Sequence, residues 1–299
     1  LSYVIIISII LTALLSFIIS RNITKPLSNI SQAAANFASG NYQARATVLS
    51  DDEVGQLGSA FNEMAIKLEK IDSNRREFLA NVTHDLKTPL AVIQALTETL
   101  LDDLVKAPEK KQEYLQKILL ENKNMNLLIS DLLNLAQLES GQLSFHYEKI
   151  NATKYLRQHF ESYQSLMKEK NLQLQLTIHD NLNEFFIDQQ RLQQVLNNIM
   201  SNAIKYSPIS GTIAVNISKN KDFLEITITD NGIGITANDL PFIWDRFYKA
   251  DKSRNRKEGG TGLGLAITKM LVLAMKGTVT VKSTPNVETC FTINLPFKS

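Results

Sequence analysis

The stretch Phe78-Leu79-Ala80-Asn81-Val82-Thr83-His84-Asp85-Leu86-Lys87-Thr88-Pro89-Leu90 decides how the chain is read. At ~100° per residue on an α-helix, Phe78, Val82, Leu86, Ile93, Leu96 and Leu100 share one stripe, with Leu79 and Leu90 further round its edge. His84 then points roughly 200° from Val82, toward solvent, with Thr88 one turn along the same face and Asp85 on the flank. Pro89 removes a backbone donor one turn beyond the histidine and is expected to bend or loosen the helix. An exposed neutral imidazole is a nitrogen nucleophile near pH 7. An adjacent carboxylate can hold its other N–H, fix the tautomer and take the proton lost on attack. A hydroxyl four residues on can position a water for the reverse hydrolysis. A His beside an Asp on a surface helix is more often simply solvated; the weight rests on the whole string.

Around this stretch the helical pattern runs from Ile71 to about Leu104, with Pro108 in a short turn. A second helix is expected from about Glu109 to Leu138, its apolar face made by Leu115, Ile118, Leu119, Met125, Leu128, Ile129, Leu132 and Leu135. Glu139-Ser140-Gly141 ends it. Two amphipathic helices in a hairpin cannot cover their own core, so a homodimeric four-helix bundle is the expected solution.

Upstream, Leu57, Phe61, Met64, Leu68 and Ile71 repeat at coiled-coil spacing after the acids Asp51-Asp52-Glu53, with the helix starting at Val54. A shorter helix spans about Leu27 to Ser39, with Leu27, Ile30, Ala34 and Phe37 on one face. Gly40-Asn41 ends it, and a connector follows from Tyr42 to Ser50. Leu1 to Ser20 carry no charge and stop at Arg21, with Lys25 close behind. That run suits a membrane helix with the remainder on the cytoplasmic side. A buried core helix is one rival; a signal peptide is another, but its basic start and cleavage site are missing. The chain opens on Leu rather than Met and is expected to lack what preceded this helix.

Downstream, Phe145 to Ser299 switches between helical and alternating patterns. Leu172–Leu176, Ile213–Ile217, Leu224–Ile228 and Thr278–Val281 alternate apolar with polar residues, which implies a mixed sheet covered by helices on one side, an α+β two-layer sandwich. Four segments here suit a phosphoryl donor. Asp188 opens a helix through Tyr206 whose core stripe is Leu192, Val195, Ile199, Ala203 and Tyr206, with Asn198, Asn202 and Lys205 together at its edge. Amide oxygens can ligate Mg²⁺ and an ammonium can meet phosphate. Asp230-Asn231-Gly232-Ile233-Gly234 places a carboxylate at a strand end, able to accept from an exocyclic amine. Phe242-Ile243-Trp244-Asp245-Arg246-Phe247-Tyr248 is an aromatic patch leading into a basic stretch. Gly259-Gly260-Thr261-Gly262-Leu263-Gly264 opens a helix, where free N–H groups can cradle phosphates. Each alone reads equally well as a solvated amide face, an Asn-Gly turn or a packed loop. No Gly-Lys-Ser/Thr follows the glycines, which excludes a Walker loop.

Bulk properties agree. The 299 residues, 44% hydrophobic and 21% charged with a formal net charge of +2, form no basic stripe for nucleic acid. The lone Cys290 excludes an internal disulfide and reads as buried strand filling. His146, His159 and His179 read as structural or solvated.

The string around His84 closely resembles the phosphoacceptor box of sensor histidine kinases. Pro26, Glu53-Val54-Gly55 and Phe61-Asn62-Glu63-Met64 resemble the signature of a HAMP linker, a parallel coiled-coil relay. The four downstream segments, in this order, resemble the N, G1, F and G2 boxes of the GHKL ATPase fold. The resemblance implies a multidomain chain with boundaries at 1–20 (transmembrane helix), 21–71 (HAMP), 72–141 (dimerisation and phosphotransfer hairpin) and 142–299 (ATP-binding domain). It implies His84 as acceptor, Asp85 as general base and Thr88 as phosphatase residue. ATP with Mg²⁺ would be bound by Asn198 and Asn202 (metal and phosphates), Lys205 (phosphates) and Asp230 (adenine). Tyr206, Gly232, Gly234, Arg246, Lys249, Gly260, Thr261, Gly262, Leu263 and Gly264 would line the rest, with a lid from about Asp245 to Gly262. Expected partners are a second copy of the chain, a response regulator and the bacterial cytoplasmic membrane, and no nucleic acid. Two departures bear on turn geometry: Asn286-Val287-Glu288 stands where the family often has a glycine, and Lys276-Gly277 where it has a glycine pair. A GHKL ATPase driving conformational change and a non-catalytic scaffold are the rival readings.

Overall fold

In the computed structural model, residues 2–179, 182, 184–220, 222–250 and 261–297 are described. The uncharged N-terminal run forms helix α1, Ser2–Ile19, with no residue buried. Its 18 residues span ~27 Å at 1.5 Å per residue, close to the ~30 Å of a bilayer's hydrocarbon core. The expected gap before the next helix is absent. A π-helical turn, Ser20–Thr24, joins α1 to α2, Lys25–Ala38. Pro26 sits in the first turn of α2 and has no N–H to give, and the Lys25 N–H reaches back to the Ser20 carbonyl instead.

The chain divides into two compact units, Leu1–Thr83 and His84–Ser299, and the division falls inside helix α3, Glu53–Leu101. In the first unit, Ala33 and Phe37 of α2, Ala46 of the connector and Phe61 and Ala65 of α3 form a buried cluster. The rings of Phe37 and Phe61 meet edge to face at 6.2 Å. Asn62 brackets the connector by accepting from the Ala46 N–H and donating to the Ala46 carbonyl, both at 2.9 Å. Asp52, rather than the residues after it, caps α3, taking the N–H groups of Val54 (3.1 Å) and Gly55 (3.0 Å). Gly55 is required there, because a Cβ would lie 1.7 Å from the Ser50 carbonyl oxygen. Of the heptad apolar residues only Phe61 is buried; Leu57, Met64, Leu68 and Ile71 remain exposed.

The second unit begins with the C-terminal half of α3, which stays helical through Pro89. It ends three residues before the expected limit, where Asp103 adopts a left-handed φ of 51°. Pro108 is not a turn residue but the first of helix α4, Pro108–Glu139, where its missing donor is one the helix would leave unused. Gly141 at φ 66° terminates α4.

Strand β1 (Glu148–Ile150) pairs antiparallel with β3 (Phe185–Ile187), a small ribbon that the alternation had not announced. Between them lie α5 (Ala152–Glu161), α6 (Gln164–Glu169) and β2 (Gln173–Ile178). Then follow α7 (Gln189–Tyr206), β4 (Thr212–Asn220), β5 (Phe223–Asp230), α8 (Gly264–Ala274), β6 (Thr278–Thr284) and β7 (Glu288–Pro296). The five-stranded sheet has the order β2-β4-β5-β7-β6, parallel only between β2 and β4. Ile213, Val215, Ile217, Leu224, Ile226, Ile228, Phe291 and Ile293 face a core shared with Leu192, Val195, Ile199 and Ile267 of the helices. Tyr206, expected in that stripe, is only half-buried, because it ends the helix at the sheet margin. Cys290 is also only half-buried: it alternates with Thr289 and Phe291 and so faces away from the core. Where glycines were missing, Lys276 (φ 59°) and Asn286 (φ 56°) take the left-handed conformation themselves, so both turns close. His159 is a core residue stacked against Tyr155.

Candidate functional site

His84 lies on the outer face of α3. Its side chain is 73% exposed, while Phe78, Val82, Leu86, Ile93, Leu96 and Leu100 are all half-buried. The angular reading of the helix therefore holds. Nδ1 of His84 lies 3.1 Å from Asp85 Oδ1. That pairing favours the proton on Nδ1 and leaves the Nε2 lone pair outward. Thr88 is exposed one turn on, and its hydroxyl donates to the His84 carbonyl at 3.1 Å. The bond sits in the turn where Pro89 supplies no donor.

A second site forms where β5 ends, between α7 and α8. Asp188 shapes α7: one oxygen caps it by accepting from the Arg191 N–H (2.9 Å), and the other takes the His146 N–H (2.8 Å). Midway along this helix Asn198 donates from Nδ2 to the Gly264 carbonyl (3.0 Å) and to Thr268 (3.3 Å). A carbonyl can only accept, so the amide nitrogen is the atom that meets it. Oδ1 also lies against the start of α8, 3.5 Å from where a Gly264 Cβ would stand, and is the atom of Asn198 able to meet a hard cation such as Mg²⁺. Asn202 and Lys205 follow at one-turn spacing, both half-buried. The Lys205 ammonium lies 4.9 Å from the centroid of the Tyr206 ring.

Asp230 is 4% exposed at the end of β5, in register with Ile213 and Thr289. Burial pushes its carboxyl up to about 6, and a bond from the Gly232 N–H to Oδ1 (3.0 Å) partly opposes that. Gly232 is enclosed so tightly that a Cβ would meet the Tyr206 carbonyl oxygen at 2.5 Å. Gly234 has φ 68° and lies against the Thr284 backbone. This leaves a buried acceptor lined by backbone, suited to reading an amine on a flat heterocycle.

The glycine-rich segment precedes α8. Gly262 (φ 68°) passes so close to Phe247 that a Cβ would lie 2.8 Å from its Cα. The Phe247 N–H donates to the Gly262 carbonyl at 3.0 Å. The aromatic patch is thus clasped to the glycine loop. Leu263 is buried and Gly264 begins the helix. Gly260 and most of the expected lid lie outside the described residues.

Three residues expected on the nucleotide have polar partners on the hairpin. Lys249 Nζ lies 3.2 Å from Asp85 Oδ2. Arg246 forms an ion pair with Glu139. The Thr261 hydroxyl accepts from the Leu263 N–H (3.2 Å) and donates to Asp131 Oδ2 (3.0 Å). Asp131 is 8% exposed, and burial pushes its carboxyl above the ordinary carboxylate range. Sequence reasoning passed over Asp131 and Glu139. An acid between Leu128 and Leu135 on the apolar face of α4 was the available signal.

Three family models match the chain: a HAMP domain over residues 18–70, a His Kinase A (phospho-acceptor) domain over 74–141, and a histidine kinase-, DNA gyrase B- and HSP90-like ATPase over 187–299. The signal transduction histidine-protein kinase BaeS of Escherichia coli is 30% identical over 288 residues, covering 96% of this chain and 61% of that protein. The sensor histidine kinase WalK of Bacillus subtilis is 37% identical over 232 residues, 77% of this chain and 38% of that protein. The chain thus spans roughly two fifths to three fifths of the length of these two relatives. A crystal structure of full-length ShkA in complex with AMPPNP is similar in fold, with a TM-score of 0.57 and 25% identity over 74% of this chain and 46% of that one.

Proposed function

The chain belongs to the two-component sensor histidine kinases, and from that premise we propose that it is an ATP-dependent autokinase whose phosphoacceptor is His84. The observation that carries the proposal is the exposed imidazole with Nδ1 on Asp85 at 3.1 Å. The Nε2 lone pair forms a bond to the γ-phosphorus of ATP, the bond from that phosphorus to the β–γ bridging oxygen breaks, and ADP leaves. The Nδ1 proton passes to Asp85. The product is a phosphoramidate, reactive enough to pass its phosphoryl group to an aspartate of a response regulator.

The nucleotide's adenine amine would be accepted by Asp230, and its phosphates would lie against the glycine loop, Asn202 and Lys205. Asn198 and Asn202 would hold Mg²⁺, which when bound neutralises phosphate charge. Thr88 would orient water for dephosphorylating the regulator. The chain is organised as a membrane helix (1–20), HAMP relay (21–71), hairpin (72–141) and ATP-binding domain (142–299). It acts as a homodimer at the bacterial cytoplasmic membrane, its catalytic part on the cytoplasmic side. Support for the anchor comes from α1, long and apolar enough to cross a bilayer, and from Arg21 and Lys25 after it.

The test uses the full chain in detergent with γ-labelled ATP. Wild type should take up acid-labile label and pass it to a receiver-domain aspartate, and His84→Ala should take up none. Equal labelling of His84→Ala would overturn the assignment.

A further inference from the structure

Helix α7 ends at Tyr206, and the carbonyls of its last turn need donors from outside the helix. The N–H that would ordinarily meet the Ile204 carbonyl lies four residues on, at Pro208, which has none. Lys170 takes that place. Its ammonium donates to the Ile204 carbonyl at 3.1 Å and to the Lys205 carbonyl at 2.9 Å. A cation there also meets the negative end of the helix dipole. Two charge-assisted bonds on consecutive carbonyls fix the turn in direction as well as in place.

The aim of Lys170 is set by its own backbone. It closes α6 just before Asn171 turns left-handed at φ 53°. The Asn171 N–H donates to the Lys168 carbonyl (3.1 Å) and the Leu172 N–H to the Met167 carbonyl (2.9 Å), which ends that helix sharply. The Lys170 carbonyl then accepts from the Ser210 N–H at 3.0 Å, in the turn beyond Pro208. That turn continues to the loop after β5, where Asn231 Oδ1 accepts from the Thr212 N–H at 2.9 Å. On its other side the loop meets α7 directly: the Tyr206 carbonyl accepts from the Ile233 N–H (3.4 Å) and lies against Gly232. Lys170 therefore holds, by side chain and by backbone, both stretches that border Asp230–Gly234.

Resting on the reading of Lys205 and Asp230 as nucleotide ligands, we propose that Lys170 is a positioning residue for the nucleotide site, setting the last turn of α7 against the Asp230–Gly234 loop. It thereby sets the spacing between the group that meets the phosphates and the group that meets adenine. Its ammonium is committed to backbone carbonyls, so it acts through α7. Lys205 would hold phosphate both before and during transfer. Loosening it weakens ground state and transition state alike, which raises the KM for ATP and leaves kcat little changed.

The experiment titrates the full chain in detergent with a fluorescent ATP analogue and assays it with γ-labelled ATP. Lys170→Met keeps the aliphatic stem and removes the ammonium. It should weaken analogue binding roughly tenfold and raise the KM for ATP by the same factor, with kcat close to wild type. Lys170→Arg, which can still donate to both carbonyls, should recover most of the affinity. A purely structural cap would lower the melting temperature and leave affinity and KM where they were, and that result for Lys170→Met overturns the inference. So does a fall in kcat without a rise in KM, or Lys170→Arg binding no better than Lys170→Met. If Lys170→Met shows no cooperative thermal transition, Lys170→Gln decides: its amide keeps a donor without the charge, intermediate affinity is expected, and wild-type affinity overturns the inference. Lys205→Ala separates the two readings, because wild-type affinity in that variant would remove the nucleotide site on which the inference rests.

Discussion

At Asp85 and Asp230 the same kind of group meets opposite surroundings. Asp85 lies near the surface beside an imidazole and an ammonium, whereas Asp230 is enclosed and its carboxyl is pushed up to about 6. Because that value is raised above the ordinary 3.8, the folded protein holds the proton more firmly than the unfolded chain. Asp230 therefore withdraws stability as pH rises from about 4 through about 6. Over the same rise it gains the ionised acceptor that an adenine amine needs. Affinity for an ATP analogue, followed by fluorescence titration, should fall as pH drops through about 6. Asp230→Asn should weaken binding by roughly tenfold to a hundredfold and flatten that profile; an unchanged profile would remove Asp230 from the site. His159 behaves the other way. It is buried among Tyr155, Phe160 and Tyr163 with Nε2 lacking a hydrogen-bond partner, and burial pulls its imidazole down to about 4. The unfolded chain takes up that proton near 6.5, so stability is complete above pH 6.5 and is lost as pH falls toward 4. His159→Phe should reduce the loss in melting temperature between pH 7 and pH 5.

At the scale of elements, two devices set the site: the cap on α7 and the continuity of α3. Asp188 is 3% exposed and satisfies two backbone donors, one on its own helix and one on the strand approach at His146. Asp188→Ala should cost about 1–3 kcal/mol in denaturant unfolding and shift Asn198 relative to Gly264, lowering analogue affinity as well. Elements with strong periodicity were legible in the sequence. The stripe through Val82, Leu86 and Ile93, the strands 212–220 and 223–230, and the aspartate opening α7 all follow from local spacing and side-chain chemistry. What was not legible depends on distant chain or on backbone conformation without a residue signature. Ser20–Thr24 carries the helix on as a π-turn just ahead of Pro26, a backbone adjustment that no residue in the run announces. Lys276 and Asn286 adopt glycine-like φ values that their identity does not announce. Lys249–Asp85 and Thr261–Asp131 link residues 164 and 130 positions apart, which no periodicity encodes.

For the whole molecule, the hairpin leaves a surface that one chain does not cover. Ile118, Met125 and Leu132 of α4 are half-buried, while Leu115 (57%), Leu119 (56%), Leu79 (53%) and Leu90 (55%) stay exposed. With a little over half of each such leucine left to cover, its burial in a dimer is worth about 1–1.5 kcal/mol. Leu115→Glu with Leu119→Glu should convert the dimer to monomer in analytical ultracentrifugation; a dimer that survives both substitutions would move the interface elsewhere. The proposed function turns on one chemical event, phosphorylation of the exposed His84 from a nucleotide held by the sheet domain. Mass spectrometry of the full chain after incubation with ATP, with fragmentation at neutral pH, tests that claim most directly. One phosphoryl group is expected on the peptide containing His84, located on the imidazole and reduced at limiting ATP when Asp230→Asn weakens nucleotide binding. A phosphoryl group on another residue, or none on His84 in the wild type, would contradict it.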